Sequence, residues 1–161
     1  MSRRCVPLAL KAALAEALDP ALVCAVIEQE SGWNPWKMRF QKSVFPRVVV
    51  PLLKGDRISI SEGYARCFCW GLMGILGHDA REAGFAGPYL SALCDSGENV
   101  SLGCRILRRK IDAASGETFR ALLTWGECQS RERATLYADR IFARRSFWLE
   151  RLSQNEVKSI R

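Results

Sequence analysis

Histidine is almost absent from the sequence, since His78 is the only one in 161 residues. Zinc sites in proteins are built from histidine nitrogens and closely spaced cysteine pairs. Among the seven cysteines the nearest two, Cys67 and Cys69, are separated by one residue, whereas zinc motifs place at least two residues between them. We therefore expect no metal site and no cofactor.

The sequence also lacks an even number of cysteines, so its seven thiols cannot all pair within one chain. We interpret Cys24, Cys94 and Cys104 as small apolar residues on buried helix faces. Cys94 with Cys104 is the pair for which a disulfide is worth testing.

Long apolar runs are lacking as well, and no stretch reaches the roughly 18 apolar residues that cross a bilayer as a helix. The N-terminus carries two arginines, but Lys11 and Glu16 interrupt the apolar residues that follow them. No cleavage site of small residues comes next, so the pattern is not typical of a signal peptide. We expect a chain that stays in the cytoplasm as synthesised unless another factor releases it.

Acidic residues are scarce relative to basic ones, with 17 Asp and Glu against 24 Lys and Arg and a net charge of +7. This balance favours polyanionic partners, such as nucleic acid, an anionic cell-wall polymer or lipopolysaccharide. The arginines are scattered and form no nucleic-acid recognition motif, so we expect no specific nucleic-acid partner. A solvated basic surface is the simpler alternative.

The remaining composition is typical of a soluble globular protein, with 48% hydrophobic and 25% charged residues. There is no internal repeat, linker or low-complexity segment. We predict a single domain over residues 1–161, with a core at about 6–152 and a polar, frayed tail at 153–161.

A buried helix is predicted at the stretch that reads VCAVIEQESGWNP from Val23 to Pro35. Asp19 followed by Pro20 indicates its start, because an acid is a good N-cap and proline suits the first helical position. Gly32 indicates its end. This helix is the part of the chain around which we expect the others to pack.

Glu30 is predicted to point into the protein from this helix. It lies three residues beyond Val26 and four beyond Ile27, which places it on the apolar stripe, whereas Glu28 is expected to be an ordinary solvated acid. Desolvation raises the pKa of a carboxyl group, which is the condition for a general acid near neutral pH. The alternative is a helix-terminal acid that reaches water or pairs with an arginine.

Apolar periodicity predicts further helices. They cover residues 7–18, about 79–83, 95 to about 114, 117–125 and a long segment from 130 onward. Asp95 and Glu98 form a capping-box start, and Gly103 in the same helix predicts a close contact with another helix. Phe119 is expected on the inner face of the next helix, which Gly126 closes.

The segment 36–70 is poor helix material. Pro46 and Pro51 interrupt the run SVFPRVVVPLL, and the alternating RISIS follows it. These patterns predict loops and a short hairpin, forming a lobe over one side of the Glu30 site.

Three motifs in order resemble the signature of the soluble lytic transglycosylase catalytic domain, which is akin to goose-type lysozyme. They are ES at 30–31, GLM at 71–73 and GENVSLGCRIL at 97–107, and the resemblance covers about residues 6–148. The wider forms ESGWNPWKMRF, WGLMG, AREAGF and YLSALCD are similar to the phage-associated, endolysin-like branch. The resemblance implies a mostly α, lysozyme-like fold with a small irregular or short-hairpin lobe. It also implies a monomer that acts on the peptidoglycan glycan strands of the cell wall after its release.

The resemblance also implies roles for individual residues. The glutamate of the first motif is the catalytic acid in such enzymes, and it corresponds to Glu30. The residue after it, Ser31, and the GLM loop, Gly71, Leu72 and Met73, line the sugar cleft in the family. Independently of the resemblance, Trp33, Trp70 and Trp125 are aromatic side chains that either stack on sugar rings or belong to the core.

The reaction implied by the resemblance is cleavage of the β-1,4 bond between N-acetylmuramic acid and N-acetylglucosamine, with a 1,6-anhydro product. One carboxylate serves both steps. The alternative is a muramidase that hydrolyses the same bond by inversion, which needs a second carboxylate about 6.5–9.5 Å away to activate water. Glu62 and Asp56 are the candidates, and each is otherwise a solvated loop acid.

The chain departs from the family pattern in three places. Gly74 follows the GLM motif where glutamine is usual, and residues 39–42 read RFQK where the related branch tends to have arginine, an aromatic residue, glutamate and proline. Trp125 stands where a tyrosine is usual, and no asparagine follows. These departures motivate a rival of another class, a non-catalytic glycan-binding or virion structural protein.

Overall fold

Helices make up most of the computed structural model, which describes residues 2–125 and 130–159. The α-helices are α1 (Ser2–Ala15), α2 (Pro20–Ser31), α3 (Val50–Lys54), α4 (Ile60–Arg66), α5 (Gly77–Glu82), α6 (Ser96–Ala113), α7 (Thr118–Leu123) and α8 (Arg131–Ser159). A π-helix (Phe45–Val49) and a 3-10 helix (Leu90–Cys94) lie between them. The predicted mostly α fold class with a small lobe is confirmed. Gly126 and Cys128 lie outside the described residues.

Helix α2 is at the centre of the molecule, where it packs against α8 and α1. The predicted caps are confirmed, because the Asp19 side chain accepts a hydrogen bond from the Ala21 amide and Gly32 ends the helix with φ +58°. All residues from 21 to 27 are buried, as expected of a helix that is apolar on every side. The expectation for Glu28 was wrong, because this side chain is half-buried and accepts a 2.8 Å hydrogen bond from Trp148 of α8.

A small antiparallel sheet lies beside this helical core. Its strands are β1 (Met38–Phe40), β2 (Phe68–Trp70) and β3 (Ile75–Leu76), in the order β1-β2-β3. Arg39 of β1 pairs with Cys69 of β2, and Trp70 of β2 pairs with Ile75 of β3. Two of these strands lie inside the predicted irregular lobe.

The prediction of loops and a hairpin for segment 36–70 was only partly right, since α3, α4 and the π-helix also lie there. Pro46 falls in the first turn of the π-helix, where the missing N–H of proline costs nothing, and Pro51 falls in the first turn of α3, which continues the π-helix directly. Ser59 within RISIS caps α4 by accepting a hydrogen bond from the Glu62 amide. The prolines therefore do not keep this segment from being helical, and RISIS supplies a helix cap where a hairpin is predicted.

Cys94 and Cys104 are free thiols, so they form no bond with each other in this structure. Cys24, Cys94 and Cys104 are buried in the core, which confirms their interpretation as small apolar fillers. Burial, with nearby acidic side chains, raises the pKa of Cys24 and that of Cys104 to about 12 each. Both thiols are therefore protonated and unreactive at neutral pH.

Helix α6 begins at the predicted cap, where the Asp95 side chain accepts a hydrogen bond from the Glu98 amide. The close contact of Gly103 is real, but its partner is a loop and not a helix, since a Cβ there would come within 2.4 Å of the Met73 sulfur. Phe119 of α7 is 37% exposed and does not lie inside.

Helix α8 continues to Ser159, so most of the predicted frayed tail is helical. Within it Ile141 and Trp148 are buried in the core, as predicted for this amphipathic segment. In the described residues, no helix combines the length and the apolar character needed to cross a membrane.

Candidate active site

Glu30 lies in the last turn of α2, and its side chain is only 5% exposed. Its two carboxylate oxygens have different partners. The Tyr137 hydroxyl on α8 donates to Oε1, and the Arg39 guanidinium on β1 donates to Oε2 through Nη2 at 3.2 Å. Helix α2, helix α8 and the small sheet therefore meet at this one carboxyl group.

The environment of Glu30 raises its pKa above the ordinary value of 4.5. Burial is the largest cause, and the Tyr137 hydrogen bond and the Arg39 charge oppose only part of the rise. A carboxyl group with a raised pKa keeps its proton at higher pH than an exposed one. Glu30 therefore has the protonation behaviour of a general acid, as its place on the apolar stripe predicted.

No motif in the sequence marks Tyr137 as a partner of Glu30. Trp125 had been considered as the residue that replaces the family tyrosine, but Trp125 is buried and its indole N–H has no hydrogen-bond partner in the described part of the chain. The only signal for Tyr137 was its place four residues before Ile141, on the buried side of α8. Nothing in the sequence indicated that this side faces Glu30, 107 residues away.

The loop at 71–74 approaches Glu30 through backbone and not through side chains. Leu72 and Met73 are fully buried in the core, so their side chains line no cleft in this structure. Gly71 and Gly74 have φ of +70° and +60°, which favours glycine at both positions. The prediction that this loop lies at the site is met only by its backbone.

Gly74 is in direct contact with the Glu30 side chain. A Cβ at this position would lie 2.5 Å from Oε2 of Glu30 and 2.9 Å from its carboxyl carbon. Glycine in place of the usual glutamine therefore has a physical reason, because in this arrangement a side chain at 74 would collide with the carboxyl group.

Asn99 of α6 holds the loop in place, although nothing in the GENVSLG sequence distinguishes it from its neighbours. Its side chain is fully buried. Its Oδ1 accepts a 2.8 Å hydrogen bond from the Met73 amide, and its Nδ2 donates to the carbonyls of Trp70 and Leu93 at 2.9 Å each. A buried amide with three good partners fixes the backbone that it binds.

Ser31 uses its hydroxyl within its own helix end. The hydroxyl donates to the Ile27 carbonyl at 2.9 Å and accepts from the Trp33 amide at 3.2 Å. These bonds fix the turn that follows Glu30. Any contact of this hydroxyl with a ligand would compete with them.

The three tryptophans considered for sugar stacking are buried and belong to the core. Trp70 donates its indole N–H to the Ala65 carbonyl at 3.0 Å, and Trp33 packs on Trp148 with ring centroids 5.3 Å apart. Of the two interpretations, the core one agrees with the structure. Trp36 is an exposed aromatic residue, and the carbonyl oxygen of its chain neighbour Lys37 accepts a hydrogen bond from the Gly71 amide.

Glu62, the candidate second carboxylate, is bound by two arginines. Arg81 contacts both of its oxygens at 2.8 and 3.1 Å, and Arg66 contacts one at 3.0 Å. Burial alone would raise its pKa, but the hydrogen bonds and charges of the two arginines outweigh burial and hold the pKa below its ordinary value. Its partners lie on α4 and α5, whereas those of Glu30 lie on α8 and β1. Asp56 is exposed in the turn after α3.

A separate cavity of about 680 Å³ lies at the other end of α2, beside Asp19 and Arg145. Asp19 and Glu30 are eleven residues apart on this helix, so the cavity lies on the order of 16 Å from Glu30 along the helix axis. Within residues 2–125 and 130–159, no group of three or more His, Cys, Asp or Glu side chains could hold a metal ion.

Comparison with known families agrees with this arrangement. Neither a search of curated proteins nor a search of solved structures finds a significant match. The model of the family described as the transglycosylase SLT domain matches residues 7–140, a range that includes Glu30, the loop at 71–74 and Tyr137. Because the match covers most of the chain, the protein belongs to the transglycosylase SLT family, a class of lysozyme-like enzyme domains that act on peptidoglycan.

Proposed function

We propose that this protein cleaves the β-1,4 bond between N-acetylmuramic acid and N-acetylglucosamine by lytic transglycosylation, with Glu30 as its catalytic acid and base. The observation that carries the proposal is the buried Glu30 carboxyl group, with its raised pKa, between Tyr137 and the backbone of Gly74. Protonated Glu30 donates its proton to the glycosidic oxygen, and positive charge develops at C1 of the muramic acid. The carboxylate then removes the proton of the 6-hydroxyl, which attacks C1 and closes the 1,6-anhydro ring.

The two oxygens of Glu30 have different tasks in this scheme. Tyr137 holds Oε1 from the buried side, so Oε2 is the oxygen that carries and transfers the proton. Gly74 leaves space beside Oε2 that a larger residue would fill. A fixed carboxyl group loses little entropy on reaching the transition state, which is how positioning lowers a barrier.

Transglycosylation is favoured over hydrolysis by the state of Glu62. A general base must be able to accept a proton from water, but both oxygens of Glu62 already bind arginine. Muramidase activity with Glu62 as the second carboxylate is therefore the weaker alternative.

Trp36 is the aromatic residue that we assign to sugar stacking. Its side chain is 69% exposed, and it adjoins the Lys37 carbonyl that binds the Gly71 amide. An exposed tryptophan offers a large apolar face to a sugar ring. The net charge of +7 supports attraction to an anionic envelope, and the resemblance to the phage-associated branch supports a role as an endolysin.

The proposal is tested by the clearing of purified sacculi by the unaltered protein, Glu30→Gln and Glu28→Gln. We expect Glu30→Gln to lose activity by a factor of about 10²–10⁴, the usual contribution of general acid–base catalysis. Glu28→Gln is the matched control, because its amide oxygen still accepts the Trp148 hydrogen bond. Equal activity of the two variants would exclude Glu30 as the acid, and binding without clearing by the unaltered protein would favour the non-catalytic rival.

A further inference from the structure

Arg39 lies at the boundary between the buried Glu30 carboxylate and solvent. Its side chain is 49% exposed, whereas that of Glu30 is 5% exposed. Nη2 of Arg39 is 3.2 Å from Oε2 of Glu30 and 3.9 Å from the Cys69 sulfur. A ligand that approaches Oε2 from solvent therefore meets the guanidinium group first.

The contact between Arg39 and Glu30 is incompatible with proton donation from Oε2. Guanidinium is a donor only and cannot accept the proton that an acid must give away. Tyr137 already occupies Oε1, so Oε2 has to be released before it can face a glycosidic oxygen. The Arg39 side chain must move when substrate binds.

The contacts that hold Arg39 are weak enough for this movement. Both use the same nitrogen, Nη2, and the Arg39 side chain is 49% exposed, so water can replace the contacts that it loses on moving. A carboxylate presented by a ligand could instead bind the two-nitrogen fork of the guanidinium, a stronger geometry. Exchange of Glu30 for a ligand carboxylate is therefore favourable.

The segment around Arg39 carries positive charge, which favours the binding of an anion. Residues 37–42 read KMRFQK, with Lys37 and Lys42 exposed on either side of Arg39 and no acid among them. Gln41, where the related branch tends to have glutamate, is neutral and donates to the Cys69 sulfur at 3.7 Å. Arg39 thus has no carboxylate neighbour on its own strand to compete with a ligand.

We propose that Arg39 forms a carboxylate-binding subsite, which takes a carboxylate of the peptidoglycan strand and thereby frees Oε2 of Glu30. Two sources offer this chemistry next to the scissile bond: the lactyl carboxylate of an N-acetylmuramic acid that carries no stem peptide, and the carboxylates of the stem peptide where one is attached. Arg39 then determines specificity, because chitin-type strands of N-acetylglucosamine have no such group and leave the ion pair in place. The identity of the ligand rests on the proposed function, whereas the binding of a carboxylate does not.

The test measures binding by calorimetry, using the full chain and four probes. They are a disaccharide of N-acetylglucosamine and N-acetylmuramic acid with a free lactyl carboxylate, its lactyl amide, and the same disaccharide with a dipeptide that ends in either a carboxylate or an amide. We expect one acid to bind about tenfold more tightly than its amide. The acid and amide pair that shows the difference identifies the source of the carboxylate.

Arg39→Gln should abolish the preference for the acid, whereas Lys54→Gln, which removes the same charge from the exposed end of α3 in the same lobe, should keep it. As a second readout, carboxyl resonances should show a higher pKa for Glu30 when the acid is bound, and Arg39→Gln should remove that response. Equal affinity for acid and amide in the unaltered protein, or a preference that survives Arg39→Gln, would overturn the subsite.

The subsite and the proposed function fail independently. A protein that clears sacculi without any preference for acids retains the function and loses the subsite. A protein that prefers the acid through Arg39 but releases no fragments retains the subsite and loses the function.

Discussion

Two opposing effects act on the Glu30 carboxyl group. Burial favours its neutral form, whereas the Tyr137 hydrogen bond and the Arg39 charge favour its ionised form. Burial is the larger effect, so the neutral, protonated form of the carboxyl group is favoured over a permanent ion pair with Arg39. This balance makes its protonation sensitive to the loss of either partner.

Replacement of Tyr137 by phenylalanine should raise the pKa of Glu30 further, because it removes a hydrogen bond that lowers it. Catalysis requires protonated Glu30 and declines as pH rises through its pKa. The alkaline limb of kcat/KM against pH should therefore move to higher pH in Tyr137→Phe. Tyr89→Phe, at an exposed tyrosine, is the control and should leave the limb unchanged. A limb that stays in place or moves to lower pH in Tyr137→Phe contradicts the assignment.

The raised pKa of Glu30 also predicts how stability depends on pH. Above about pH 4.5 the unfolded chain releases the Glu30 proton more readily than the folded chain, so folding stability falls as pH rises toward the folded pKa. Glu30→Gln has no such proton to lose. The free energy of unfolding of Glu30→Gln minus that of the unaltered protein should increase between pH 4 and pH 8, as measured by urea denaturation. A difference that decreases over this range refutes the raised pKa.

Single residues differ in how far the sequence could identify them. The inward direction of Glu30 followed from its spacing to Val26 and Ile27, because helical periodicity is a local property. Its partnership with Tyr137, 107 residues away, depends on how α2 and α8 pack, which no local pattern encodes. The contact of Gly74 with Glu30 is likewise tertiary, so this glycine appeared only as a departure from the family.

At the scale of elements, helix ends were predicted better than the lobe. Asp19, Gly32 and Asp95 act as caps through bonds within a few residues, so sequence alone sufficed. In segment 36–70, proline and serine are compatible with two structures. Each is unfavourable in the interior of a helix, but each is also common at the start of one. Only the neighbouring strands and the small core of Val44 and Val49 decide between these structures.

The turn at 71–74 is the element whose geometry the site depends on most. Gly74→Ala adds a Cβ at positive φ that would meet Glu30 at 2.5 Å, whereas Gly84→Ala adds one at positive φ in open space. Both variants should lose about 1–2 kcal/mol of folding stability from backbone strain. Only Gly74→Ala should lose most of its sacculus-clearing activity, by tenfold or more. Equal activity of the two variants in the clearing assay would show that Gly74 is not needed beside the carboxyl group.

At the scale of the whole molecule, the fold class was predicted and the roles of its aromatic residues were not. Tryptophans near the motifs suggested a sugar cleft, but burial places Trp33, Trp70 and Trp125 in the core that supports the site. The exposed fraction of a side chain depends on the complete fold, so composition could not separate Trp36 from the others. The site combines one helix end, one partner helix, a glycine turn and the edge of a small sheet.

The central claim is that Glu30 acts alone, first as acid and then as base. The most direct measurement is mass analysis of the muropeptides that the protein releases from purified sacculi, compared between the unaltered protein, Glu30→Gln and Glu62→Gln. We predict products with 1,6-anhydro ends, each one water lighter than a reducing end, lost in Glu30→Gln and still formed by a folded Glu62→Gln. Reducing ends from the unaltered protein, or loss of all products in a folded Glu62→Gln, would contradict the claim.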